Sequence, residues 1–154
     1  MRVNRLDKFV SDLYLSLGVT KIEDLTIDNL SRKFGVKIYY YDLDSFLCKG
    51  DKGDCIVIDS RKEKRQQRSD FFHELAHYVL DHYASSNKLM SIYCEGKADT
   101  LMNYLAIPLH LINKSDVDKN DPFYTQKMSE EFGMEFDFTF KRLNKLKDLN
   151  KLEK

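Results

Sequence analysis

The sequence has no excess of charge of either sign, because 25 acidic residues balance its 25 basic residues. Overall charge therefore does not attract the protein to nucleic acid or to an anionic membrane surface. No stretch approaches the roughly 18 apolar residues that a membrane-spanning helix needs. The first residues, Met1 to Arg5, also lack the apolar segment of a secretory leader. We therefore expect a cytoplasmic protein that binds neither membranes nor, directly, nucleic acid.

Cysteine is scarce, and no CxxC pair is present: the three cysteines are Cys48, Cys55 and Cys94. This odd number excludes a regular disulfide framework and is typical of a reducing compartment. We expect buried thiols, since free cysteine is among the most buried residue types. As an alternative, Cys48 and Cys55 flank a turn symmetrically, so they could face each other across a hairpin and cross-link under oxidation.

The apolar content, 42% with ten Phe and nine Tyr, is sufficient for one compact core. Apolar residues at helical spacing predict a first helix that ends at Gly18, and a second helix that runs from Thr26 to Phe34 and is closed by Gly35. Short β-branched and aromatic runs predict strands at residues 36–41, 45–49 and 55–58. Because a turn joins the last two, we predict an α+β fold with a small three-stranded antiparallel sheet.

Longer helices are predicted after the sheet. Ser60 and Glu63 have the spacing of a capping box, which predicts a helix over residues 61–83. A second helix is predicted over residues 91–106, limited by Pro108. We interpret the basic residues near the first of these helices as a solvated helix start; they are Arg61, Lys62, Lys64, Arg65 and Arg68.

Residues 73–77 read His-Glu-Leu-Ala-His, which is an HExxH motif in a segment of helical character. Four residues on a helix advance about 400°, so His73 and His77 point the same way and can chelate one Zn²⁺. Mn²⁺ is a second candidate for the ion. Glu74 lies beside that face, where its carboxylate can act as general base on a water molecule.

The third ligand is predicted on the next helix. Glu95 and Asp99 are one turn apart, so Glu95 can bind the metal while Asp99 accepts the free ring N–H of a ligand histidine. His82 would face away from the metal if the helix that carries the HExxH motif continued to residue 83. Asp81 ranks below Glu95 as a ligand, because it lies one turn further along the same helix as the histidines and cannot easily complete a tetrahedron around the metal. Tyr78, Tyr104 and His110 are candidates for stabilising an oxyanion.

The segment from residue 65 to residue 108 resembles the ImmA/IrrE family of metallopeptidases. The residues that carry the resemblance are Ile56 to Asp59, Phe72 to His77, Glu95 to Asp99, and Leu105 to Pro108. The resemblance implies a zincin-like helical core and a zinc endopeptidase. It also implies a substrate, namely a helix-turn-helix repressor of the XRE type encoded by a phage or other mobile element.

We divide the chain accordingly. Residues 1–120 are predicted to form the zincin-like metallopeptidase domain, and residues 121–154 a C-terminal helical extension with helix-turn-helix character. This extension is expected to pack on the domain or to dock to a partner. In particular, a stripe of leucines is predicted to face a partner; it consists of Leu143, Leu146, Leu149 and Leu152.

A competing hypothesis is a binding module without catalysis, either a zinc-stabilised anti-repressor or a DNA-binding protein that uses its C-terminal helices. A structural zinc site is normally closed by four protein ligands. The predicted site has three protein ligands and retains Glu74, which favours the enzyme.

Overall fold

A computed structural model describes residues 4–82, 87–113 and 123–152, which contain six α-helices and three strands. The helices are α1 (Arg5–Ser16), α2 (Ile27–Phe34), α3 (Lys64–Val79), α4 (Lys88–Ala106), α5 (Tyr124–Phe132) and α6 (Phe136–Leu152). The strands are β1 (Lys37–Tyr41), β2 (Phe46–Cys48) and β3 (Cys55–Asp59), and short 3₁₀ turns lie at Ile22–Asp24 and Leu109–Leu111. The predicted α+β class is confirmed.

The sheet is mixed, with strand order β1-β3-β2. β2 and β3 form the predicted hairpin and are antiparallel, whereas β1 runs parallel to β3. The prediction of a purely antiparallel sheet was therefore wrong for the β1–β3 pair. The reason lies in β3, where Ile56 and Ile58 are fully buried. This most apolar strand takes the centre, and β1 pairs with it rather than with its neighbour in sequence.

Helix α2 begins and ends where its capping residues predict. The Thr26 side chain accepts a hydrogen bond from the Asn29 N–H, and Gly35 closes the helix in the left-handed conformation with φ of 72°. Both residues act through contacts within one helical turn. This boundary was therefore predictable from the local sequence.

Helix α3 is shorter than predicted at both ends. It begins at Lys64, and its N-cap is Glu63 rather than a residue near Ser60. At the other end Asp81 adopts a left-handed conformation with φ of 58°. The N–H groups of Asp81 and His82 donate to the carbonyls of Tyr78 and His77, at 3.1 and 2.8 Å. This is a Schellman motif, which ends the helix and turns the chain back.

Two of the five basic residues predicted to form a solvated helix start are instead hydrogen-bonded to other parts of the chain. Arg65 donates to the Ser129 hydroxyl and to the Met134 carbonyl, at 2.9 and 3.2 Å. Arg68 donates to the carbonyls of Leu25 and Phe132, each at 3.0 Å. These two side chains therefore attach α5 and its C-terminal turn to α3.

Helix α6 packs into the core. Leu143 and Leu146 are 1% and 0% exposed, so the prediction that they face a partner was wrong. The side chains of Leu149 and Leu152, and the predicted boundary at residue 120, lie outside the described residues. Among the helices described, none combines the length and apolar character required to cross a bilayer.

Candidate metal centre

Helices α3 and α4 bring three potential metal ligands together. The Nε2 atoms of His73 and His77 are 3.2 Å apart. Glu95 from α4 places Oε2 3.0 Å from His73 Nε2 and Oε1 3.0 Å from His77 Nε2. Close packing of the two helices is possible because Ala98, one turn after Glu95, is fully buried and small. The structure thus brings together all three residues predicted as ligands.

The spacing of these atoms fits a bound cation. For tetrahedral coordination with metal–ligand distances of about 2.0–2.1 Å, neighbouring ligand atoms are separated by about 3.3 Å. The separations of 3.0 to 3.2 Å are close to this value. Burial also lowers the pKa of His77, which favours the neutral imidazole that can bind a metal. The residues present therefore fit a divalent ion held by two imidazoles and one carboxylate.

Each histidine is oriented by a second contact on its other ring nitrogen. His73 Nδ1 lies 3.0 Å from Asp99 Oδ1, as the spacing of Glu95 and Asp99 predicted. His77 Nδ1 lies 3.3 Å from His82 Nδ1. A partner on the Nδ1 side leaves the Nε2 lone pair directed toward the metal position.

His82 is a site residue that was not predicted from the sequence. The prediction that His82 faces away assumed a helix continuing past residue 80, but the Schellman motif at Asp81 returns the chain toward His77. An aspartate in the position where glycine usually ends a helix gave little indication of this turn. Asp81 itself is exposed and terminates the helix, and it does not belong to the ligand cluster.

Glu74, the predicted general base, is 9% exposed. Burial raises its pKa to about 7, and the negative charges of Glu95 and Asp70 act in the same direction. The positive charge that His73 can carry and a hydrogen bond from the Leu47 N–H act in the opposite direction. A carboxyl group that titrates near neutrality can both accept and return a proton under physiological conditions.

The segments that directly precede β2 and α3, together with Asp70 on α3, form the other wall of the site. A cavity of about 330 Å³ is lined by Asp44, Ser45, Lys62, Asp70, His73, Glu74 and Glu95. The Ser45 hydroxyl donates to Asp70 at 2.5 Å, and Lys62 Nζ lies 2.9 Å from the same carboxylate. Of the lining residues, Lys62 is the one with a permanent positive charge. Ser45, Lys62 and Asp70 were not predicted as site residues, because two separate loops and helix α3 contribute them.

The residues proposed to stabilise an oxyanion are all engaged elsewhere. The Tyr78 hydroxyl donates to the Phe34 carbonyl at 3.1 Å, and the Tyr104 hydroxyl accepts from the Asn4 side chain at 3.0 Å. His110 Nε2 lies 3.0 Å from the Val19 carbonyl. These contacts tie α3, α4 and the following turn to the N-terminal helices, so we assign the three residues to the fold.

Paired helices that carry converging imidazole and carboxylate groups, with a buried glutamate beside them, define a metallopeptidase-type centre. The sequence matches the peptidase M78 family, described as the IrrE N-terminal-like domain, over residues 23–144. The chain belongs to this family, and the resemblance to ImmA/IrrE proteins is confirmed.

Two relatives come from Bacillus subtilis (strain 168). The phage-like element PBSX protein XkdA is 25% identical over 145 residues, which cover 92% of this chain and 73% of XkdA. The protein YqaB is 26% identical over 74 residues, which cover 48% of this chain and 43% of YqaB. No solved structure matches the chain.

Proposed function

We propose that this protein is a zinc-dependent endopeptidase that cleaves a helix-turn-helix repressor encoded by a phage or other mobile element. The observation that carries the proposal is the convergence of His73, His77 and Glu95 at 3.0 to 3.2 Å. Membership of a peptidase family supports the reaction type. The relative named for a phage-like element supports the genetic context.

Zinc is the ion proposed because two imidazoles and a carboxylate are a frequent donor set of catalytic zinc sites. His73, His77 and Glu95 would hold the ion, with Asp99 and His82 fixing the two rings. When bound, such an ion supplies Lewis acid chemistry, which polarises water and a peptide carbonyl.

The chain itself supplies the proton transfer. Glu74 lies on the helix turn that carries both histidines, and its pKa of about 7 lets it take a proton from the attacking water. The same carboxyl then donates that proton to the amine of the leaving peptide. Lys62 lies in the cavity wall, but its ammonium group is bound by the Asp70 carboxylate, so we assign no side chain to the carbonyl oxygen.

Glu74→Gln tests the proposal. The zinc-loaded protein and the variant are each incubated with the repressor encoded beside the gene, and fragments are identified by mass spectrometry. We expect specific fragments from the unmodified protein and a reaction roughly 10²–10⁴-fold slower from the variant. Metal content should be equal in both, since Glu74 is not among the three ligands. Glu130→Gln, an exposed change on α5, serves as the matched control.

The outcomes separate the two hypotheses. If Glu74→Gln relieves repression as well as the unmodified protein does, the protein acts by binding and the peptidase proposal is wrong. If the protein binds no divalent ion with these three ligands intact, the metal centre itself is wrong.

A further inference from the structure

Cys48 and Cys55 lie opposite each other in the β2–β3 hairpin. They are register partners in the antiparallel pair, next to the turn that joins the strands. Their side chains are within hydrogen-bonding contact of each other. The two sulfur atoms therefore point toward one another instead of into separate parts of the core.

The backbone separation of the two strands lies within the range that a disulfide spans. The Leu47 N–H points out of the sheet edge toward Glu74, so Leu47 and Ile56 are a pair without mutual hydrogen bonds. The next pair, Cys48 and Cys55, is then a hydrogen-bonded pair, whose Cα atoms are about 5.5 Å apart. This is a common Cα separation in disulfides, whereas the Cβ atoms, typically about 5–5.5 Å apart in such a pair, must approach to about 3.8 Å, so formation of the bond draws the edge strand β2 toward β3.

Both thiols are half-buried, which corrects the expectation of fully buried cysteines. A small oxidant can therefore reach them without unfolding of the hairpin. Burial and the contact with Cys48 raise the pKa of Cys55, so Cys55 keeps its proton at neutral pH. Cys94 is also half-buried but lies on α4, where it has no cysteine opposite it.

We propose that Cys48 and Cys55 are a redox modification site, which a hydroperoxide converts into a disulfide across the hairpin that borders the metal centre. In the first step one sulfur, here that of Cys48, takes up an oxygen atom to give a sulfenic acid, and hydrogen peroxide is reduced to water. In the second step the Cys55 sulfur bonds to the Cys48 sulfur, the S–O bond breaks, and the oxygen leaves as water with the Cys55 proton. The two thiols lose two electrons and the peroxide gains them.

The cross-link would act on the metal centre through β2. Leu47 directly precedes Cys48 and donates its N–H to Glu74, while Ser45, just before the strand, donates to Asp70. The beginning and middle of β2 are thus attached to α3. A disulfide would fix the other end of this short strand to β3 and so hold the Leu47 amide against Glu74.

The experiment uses the full chain and hydrogen peroxide, followed by alkylation, digestion and mass spectrometry. We expect a peptide pair linked through Cys48 and Cys55, unchanged by Cys94→Ser and abolished by Cys48→Ser or by Cys55→Ser. The oxidised protein should melt roughly 5 °C higher, because the bridge closes a loop in the unfolded chain. Exchange of the Leu47 amide hydrogen should slow, and dithiothreitol should reverse both changes.

The Cys94→Ser protein makes the test decisive even if a hairpin variant fails to fold. If peroxide converts Cys48 or Cys55 in that protein to sulfinic acid, or links two molecules, the proposal is wrong. It is also wrong if the internal bridge forms while exchange at Leu47 stays unchanged. None of these readouts depends on peptidase activity, so the inference stands or fails separately from the proposed function.

Discussion

Burial of the Glu74 carboxylate lowers the free energy of unfolding of the metal-free protein at neutral and higher pH. A glutamate titrates near 4.5 when solvated, whereas burial raises the pKa of Glu74 to about 7. Between these values the folded protein binds more protons than the unfolded chain does, so the free energy of unfolding decreases as the pH rises from about 4.5 through 7. Above pH 7 the penalty for holding a buried carboxylate is roughly 3 kcal/mol.

We therefore predict that Glu74→Gln stabilises the metal-free protein. In the presence of a chelator at pH 8, the variant should exceed the unmodified protein in unfolding free energy by roughly 3 kcal/mol, while near pH 4 the two should agree. The Gln side chain can still accept the Leu47 N–H, so the hairpin contact is kept. Urea unfolding at several pH values measures the difference, with Glu130→Gln as control. Parallel pH profiles for all three proteins would contradict the assignment.

At the scale of elements, features that depend on contacts within one helical turn could be predicted from the sequence, whereas the pairing of the strands could not. Thr26 and Gly35 define α2 through bonds within one turn, and the HExxH spacing places His73 and His77 on one face whatever surrounds them. The most buried strand takes the centre of the sheet, and this decides that β1 pairs with β3, to which it is parallel. Which strand is buried most is a property of the assembled sheet. The end of α3 was missed because Asp81, and not a glycine, adopts the left-handed conformation.

Helix α4 contains a glycine that its packing does not require. A Cβ atom built on Gly96 would meet nothing within 4 Å among the described residues. Since glycine inside a helix is less favourable than alanine, Gly96→Ala should raise the unfolding free energy by roughly 0.5–1 kcal/mol and leave metal content unchanged.

Gly133→Ala is the matched control for this prediction. Gly133 has φ of 65°, and an added Cβ would lie 2.9 Å from Arg68 Nε, so the same substitution should destabilise the protein. Chemical denaturation of both variants measures the two effects. Equal signs for the two glycines would show that the backbone of α4, or of the turn after α5, adopts a different conformation in solution.

At the scale of the whole molecule, arginine side chains join the C-terminal helices to the rest of the protein. The amphipathic pattern of α6 is visible in the sequence, but the pattern does not say what covers the apolar face. Leu143 and Leu146 are covered by the core, and Arg142 reaches Asp7, a residue 135 positions away. Such a long-range partner leaves no local signal, so the sequence left open whether the tail packs on the domain, and its leucine stripe was assigned to an outside partner.

Arg142 and Asp7 form a buried ion pair that connects α6 to α1. Arg142 Nη2 donates to Asp7 Oδ1 at 2.7 Å, and the two side chains are 1% and 0% exposed. Arg142→Met should lower the unfolding free energy by roughly 3–5 kcal/mol, because it leaves a buried carboxylate without its partner. Adding Asp7→Leu should restore part of that loss, whereas Lys141→Met, on the exposed side of α6, should have little effect. If urea unfolding gives Arg142→Met and Lys141→Met the same midpoint, α6 is not attached to α1 by this ion pair.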